Sequence, residues 1–75
     1  MPRSALVLLA PGFEEIEATC PIDLLRRAEV QVTVAAVGED LLVTGRSELT
    51  LHADCPLSEV SRQEFDLLVL PGGPP

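Results

Sequence analysis

From Ala5 to Ala10 the chain is apolar at every position, and Pro11-Gly12 then stops the run. Continuous rather than alternating apolarity fits a strand buried on both faces, as in a parallel sheet. Val30 to Val37 (VQVTVAAV) is β-branched and apolar and reads as a second strand. Phe65 to Leu70 reads as a third, also buried, ending in Pro71-Gly72-Gly73. Between the first two strands, Phe13 to Glu29 reads as a helix. Glu14, Glu15 and Glu17 suit its positive start, and Arg26 and Arg27 its negative end. Pro21 costs this helix the hydrogen bond to the Glu17 carbonyl and is expected to kink it. Strand, helix and strand make a right-handed βαβ unit.

The rest of the chain is shorter-ranged. Leu41–Thr44 and Glu48–His52 read as a hairpin around Gly45-Arg46-Ser47, with Leu49 and Leu51 on one side and Glu48, Thr50 and His52 on the other. Pro56 to Val60 reads as a single helical turn. Three buried strands want helices on both faces of their sheet, whereas one long helix covers one face. The other face would expose an apolar patch larger than soluble monomers carry. With 75 residues against about 100–150 for a typical domain, residues 1–75 are expected to form the amino-terminal part of a single α/β domain. Either the rest of the domain follows, or a second chain completes it. The rival expectation is a small domain stabilised by oligomerisation.

Composition narrows the function. A net charge of −7, with no Lys, Trp or Tyr, leaves little to neutralise phosphates or stack on bases, so nucleic acid is not an expected partner. The longest apolar run is far below the ~20 residues that span a bilayer, so no membrane partner is expected. Pro11-Gly12 also cuts that run short of a secretory signal. Cys20 and Cys55 form no CxxC motif and read as two thiols in a reducing cytosol, which points to a cytoplasmic location. His52, Asp54 and Cys55 offer donor types seen around zinc without a complete ligand set, so neither metal nor cofactor is expected.

Open parallel sheets bind ligands outside the carboxyl ends of their strands. Two segments qualify: Pro11 to Glu17 after the first strand and Pro71-Gly72-Gly73 after the last. If those strands are neighbours, the loops face each other across one crevice. Three carboxylates at the helix start would repel phosphate, and neither GxGxxG nor GxxxxGK[ST] is present, so the loop is not read as a nucleotide site. Stepping about 100° per residue puts Ile16, Cys20, Leu24 and Ala28 on one apolar stripe, Glu17 inside it, and Glu15, Thr19, Asp23 and Arg26 opposite. A carboxyl carried into an apolar site has its pKa raised and can shuttle a proton at neutral pH. The alternative is that Glu17 only caps local N–H groups. Gly72 and Gly73 either supply backbone N–H groups to an oxyanion or simply make a tight turn. Cys20, on the stripe, reads as inert packing. Arg26 and Arg27 fit helix-end charge complementarity. Arg46, at the hairpin tip, is open to either solvent or a partner. No residue is an evident nucleophile.

Taken together, Ala5-Leu6-Val7-Leu8-Leu9-Ala10-Pro11-Gly12, Glu14-Glu15-Ile16-Glu17, Ile22-Asp23-Leu24-Leu25-Arg26-Arg27-Ala28, Val32-Thr33-Val34-Ala35 and Asp66-Leu67-Leu68-Val69-Leu70-Pro71-Gly72-Gly73 resemble the start of the ThiJ/PfpI superfamily. The resemblance is to its Parkinsonism-associated deglycase (YajL-like) branch and covers essentially the whole chain. It implies a flavodoxin-like, class I glutamine amidotransferase-like parallel-sheet sandwich, usually a homodimer, in a domain longer than this chain. It also implies that Glu17 is a protonated partner of a reactive cysteine and that Gly72 and Gly73 offer N–H groups near that cysteine. The first helix and residues 41–52 would join a dimer contact, with Arg27 and Arg46 near the pocket. The reactive cysteine of the family lies on a later strand-to-helix elbow, and neither Cys20 nor Cys55 matches it.

The expected function is therefore the amino-terminal segment of a cysteine-dependent dicarbonyl-detoxifying enzyme of deglycase or glyoxalase type, inactive alone. Its implied partners are small reactive aldehydes or glycated protein adducts, together with a second copy or a completing chain. The alternatives are a redox-sensing, chaperone-like protein without turnover, or a glutamine amidotransferase relative.

Overall fold

A computed structural model of the chain describes residues 3–73. The long apolar runs form a four-stranded parallel sheet. Strand β1 is Ser4–Leu9, helix α1 Glu15–Arg27 and strand β2 Gln31–Ala36. The hairpin β3 (Leu42–Thr44) and β4 (Thr50–His52) follows, then a short strand β5 (Cys55–Pro56), a one-turn helix α2 (Leu57–Val60) and strand β6 (Leu67–Val69). The sheet order is β5-β2-β1-β6, and β3 and β4 form a separate two-stranded sheet. Strand β1 is thus central, in register with β2 through Val7↔Val34 and with β6 through Val7↔Val69.

Continuous apolarity is spent as expected on β1, which has an apolar cluster on each side. On the α1 side, Val7, Leu9, Val34 and Ala36 pack with Phe13, Ala18, Val43 and Ala53. On the other side, Leu6, Ala35 and Val60 pack with the half-buried Leu8, Leu57 and Phe65. The second face is therefore less bare than one long helix suggested, because α2 and Phe65 cover its β1–β2 part. The short β5 escaped the sequence reading, since two residues carry no period.

Within the sheet, apolar side chains are exposed at β6 and the residue that follows it. Leu67, Leu68 and Leu70 are 46, 53 and 64% exposed. The expectation of a strand buried on both faces is corrected for this element, because among the described residues β6 is an edge strand paired with β1.

Helix α1 forms where the sequence placed it and runs through Pro21 as one element. Its orientation is the second correction. Glu15 and Ala18 are buried and Ile22 and Leu25 half-buried, while Ile16 and Leu24 are 78 and 59% exposed. Positions 15, 18, 22 and 25 form a second stripe opposite the one expected to pack. The helix is apolar on two sides, and its period alone does not say which one meets the sheet. Glu17 and Cys20, expected on the buried face, are accordingly exposed. The helix closes with Glu29 in the left-handed region (φ 65), a position that usually falls to glycine.

Candidate functional site

Because β1 and β6 are neighbours, the loops at their carboxyl ends meet, as the strand pattern required. They enclose a cleft of about 160 Å³ lined by Ala10, Pro11, Gly12, Phe13 and Pro71 to Gly73. Gly12 turns the first loop with a φ of 86, open to glycine without strain. A Cβ on Gly73 would stand 2.6 Å from the Gly12 carbonyl oxygen, so the two backbones approach as closely as glycine allows.

Glu17, outside the lining itself, is joined to Gly72 in the cleft wall. The Gly72 N–H donates to Glu17 Oε1 at 2.7 Å, and the Glu14 N–H donates to the Gly72 carbonyl at 2.7 Å. Both backbone groups of Gly72 are thus held by the first turn of α1. Glu17 reaches the cleft from the solvent side of the helix rather than from its packed face.

The other acidic residues of that turn face the hairpin. Arg46 donates to Glu14 Oε1 at 2.6 Å, and its backbone N–H donates to the Phe13 carbonyl at 2.9 Å. Glu15, 6% exposed, is the one buried charged side chain among the described residues. Its Oε2 accepts the N–H groups of Ser47 (2.7 Å) and Leu49 (3.3 Å). Burial pushes the Glu15 carboxyl up. The backbone N–H groups of Glu15 itself, Ser47 and Leu49, with the Arg46 charge, outweigh this and hold it below the usual carboxylate range. The sequence reading missed Glu14 and Glu15 as site residues. The signal for Glu15 was its place on the 15, 18, 22, 25 stripe.

Arg27 is not brought to the cleft. It pairs with Asp23 at 3.1 Å in the last turn of α1, with both side chains mostly exposed. Cys20 lies on the exposed side of α1. Cys55 sits on β5, at the opposite edge of the sheet from β6. There burial, then the charges of Glu59 and Asp54, push its thiol up, away from a nucleophilic thiolate. Among the described residues, no three His, Cys, Asp or Glu side chains gather as a metal site. His52 and Asp54 instead help line a separate groove of about 310 Å³ between α1 and the hairpin. Among the same residues, no helix is long and apolar enough to cross a membrane.

Comparison with known proteins settles the ancestry of this architecture. The DJ-1/PfpI family model matches residues 3–75. The chain belongs to the DJ-1/PfpI family. It is 50% identical over 68 residues to Protein DJ-1 homolog A of Arabidopsis thaliana, covering 91% of this chain and 17% of that one. Against a protein from Thermococcus kodakarensis named as a deglycase, identity is 38% over 68 residues, covering 91% of this chain and 40% of the relative. The crystal structure of Drosophila melanogaster DJ-1beta superposes with a TM-score of 0.94 at 44% identity, over 97% of this chain and 39% of that one. The chain thus spans well under half the length of these DJ-1/PfpI relatives. The α/β parallel-sheet fold is that of the family.

Proposed function

We propose that this chain is the amino-terminal part of a DJ-1/PfpI domain that detoxifies reactive dicarbonyls or their protein adducts, as an enzyme of deglycase type. The remainder of the domain, in the same or a second polypeptide, supplies the nucleophilic cysteine. The observation that carries the reading is the Glu17–Gly72 hydrogen bond in the wall of the β1–β6 cleft, at 2.7 Å. It stands where an open α/β sheet presents its ligands, and a relative named as a deglycase shares the family.

In this reading the cysteine sulfur adds to the aldehyde carbon. As the sulfur adds, Glu17 takes the thiol proton; the carbonyl π electrons move to oxygen, and Glu17 returns that proton to the resulting alkoxide, which gives a hemithioacetal. Gly72 fixes one carboxyl oxygen of Glu17 and leaves the other free to carry that proton. With the Gly72 N–H engaged in this way, Gly73 is the backbone group left to face the developing oxyanion. Arg46 stands beside the cleft on the hairpin side, and Arg27 is left for contact with a second copy. Two unpaired thiols fit a reducing cytoplasm.

The test is methylglyoxal turnover in the protein that carries the cysteine, with Glu17→Gln and Glu17→Ala. Loss of a positioned proton donor costs about 10²–10⁴-fold. Near-wild-type turnover in both variants removes Glu17 from the mechanism. A stable oxidised thiol without any turnover favours a redox sensor instead.

A further inference from the structure

We infer that Glu15 is a positioning residue for the cleft: its buried carboxylate clasps the hairpin tip to the start of α1 and so fixes the segment that holds Gly72. The inference rests on reading the Glu17–Gly72 pair as the functional site and adds a residue behind it.

Segment 12–17 is gripped from two sides. On the cleft side, the Glu14 N–H and the Glu17 carboxylate hold the two backbone groups of Gly72. On the hairpin side, Gly12 N–H donates to the Thr44 carbonyl at 2.8 Å and Arg46 N–H to the Phe13 carbonyl at 2.9 Å. Those two bonds are short-range ties between loops. The Glu15 carboxylate is what folds the tip back over them, taking the N–H groups of Ser47 and Leu49 together. Between those donors Glu48 adopts a left-handed backbone (φ 68), a conformation unfavourable for a non-glycine residue. A shared acceptor compensates for it by keeping both N–H groups turned inward. The fit leaves no slack, since a Cβ on Gly45 would meet Glu15 Cδ at 2.5 Å.

Glu15 and Glu17 thus divide one helical turn between them. Glu17 meets the cleft, and Glu15 sets where the cleft wall stands. Removing the clasp should let segment 12–17 relax away from Gly72 while the sheet stays intact.

Amide hydrogen exchange followed by NMR on Glu15→Ala, Glu15→Gln and Glu17→Ala tests this. In Glu15→Ala, exchange at Ser47, Leu49 and also Gly72 is expected to rise about tenfold or more, while the β1–β2 ladder keeps its protection. Glu15→Gln retains one acceptor oxygen and should restore part of the Gly72 protection. Glu17→Ala should release Gly72 alone. An unmoved Gly72 amide in Glu15→Ala overturns the inference. So does a uniform loss across the ladder in Glu15→Gln, which would make the carboxylate a general stabiliser. If Glu15→Ala does not fold, Glu15→Gln alone decides, and it must release Gly72 ahead of the ladder. None of these readouts uses turnover. Intact turnover in Glu17→Ala defeats the proposed function and leaves the clasp standing, whereas a Gly72 amide indifferent to Glu15 does the reverse.

Discussion

The two sides of the first turn of α1 handle the same side chain in opposite ways. On the hairpin side, Glu15 is 6% exposed and its carboxylate accepts two backbone N–H groups. On the cleft side, Glu17 is exposed and joined to the loop by the one Gly72 bond. A glycine makes room for each glutamate: Gly45 for Glu15 and Gly72 for Glu17. A buried, doubly bonded carboxylate is part of the scaffold and has nowhere to move. An exposed, singly bonded one can exchange its partner for a substrate. Acidity at a helix start therefore does not by itself mark chemistry. What separates the two residues is how many of their bonds a ligand could replace.

Gly45→Ala should produce the larger effect. The new Cβ would stand 2.5 Å from Glu15 Cδ and Oε2, and those atoms cannot retreat without leaving Ser47 and Leu49 unpartnered. Part-buried N–H groups without acceptors are costly, and a melting temperature lower by roughly 10 °C is the expected scale for this chain length. A thermal melt followed by circular dichroism measures it. An unchanged Tm would mean that Glu15 has slack, and the contrast between the two sides would fail.

Acid should then dissolve one side by titration. The folded Glu15 carboxyl is held below its ordinary value of 4.5. With the folded value depressed, the clasp contributes its full stability above pH 4.5 and loses it as pH falls through the lower folded value. Slow exchange at Ser47 and Leu49 should therefore survive as the pH is brought down to 4.5 and be lost only below it, as the pH falls through the lower folded value. Protection that disappears already above pH 4.5 would place the Glu15 carboxyl on the wrong side of its ordinary value.

Much of this architecture was legible in the sequence. Ala5–Ala10 announced a parallel strand because every position was apolar, Val30–Val37 and Phe65–Leu70 because they are mostly apolar or β-branched, and Pro11-Gly12 and Pro71-Gly72-Gly73 marked the loops that follow the first and last of them. That the two loops meet depended on β1 and β6 being neighbours, which the sequence left open, and the bond between Glu17 and Gly72 was not legible because Glu17 was expected on the packed face. The packed side of α1 was not legible, because Ile16-Cys20-Leu24 and Ala18-Ile22-Leu25 are both apolar stripes. Only the sheet chooses between them. Glu15 was hidden for the same reason, since a charged residue gives no hint that two distant backbone N–H groups will come to it. The exposure of Leu67, Leu68 and Leu70 was equally silent. A run of apolar residues reads the same at the centre of a sheet and at its edge, and only the strand order separates the two.

Gly72→Ala tests the exposed side and should have the smallest effect on stability. Its Cβ would stand 2.8 Å from Glu17 Oε1, but the next nearest atom of that side chain, Cδ, is 3.8 Å away. The crowding falls on the far end of a solvent-exposed side chain, which can rotate into water at little cost. The expected change in Tm is about 2 °C or less, within the range of ordinary surface substitutions. The local cost is different in kind, because the carboxylate oxygen that accepts the Gly72 N–H is the atom displaced. Exchange at Gly72 should accelerate about tenfold while Ser47 and Leu49 stay protected. In the cysteine-bearing protein, turnover should fall although the fold is unharmed. Should Gly72→Ala instead cost as much stability as Gly45→Ala, Glu17 would be as firmly built in as Glu15. The cleft carboxylate would then be one more part of the scaffold, with no bond free to offer a substrate.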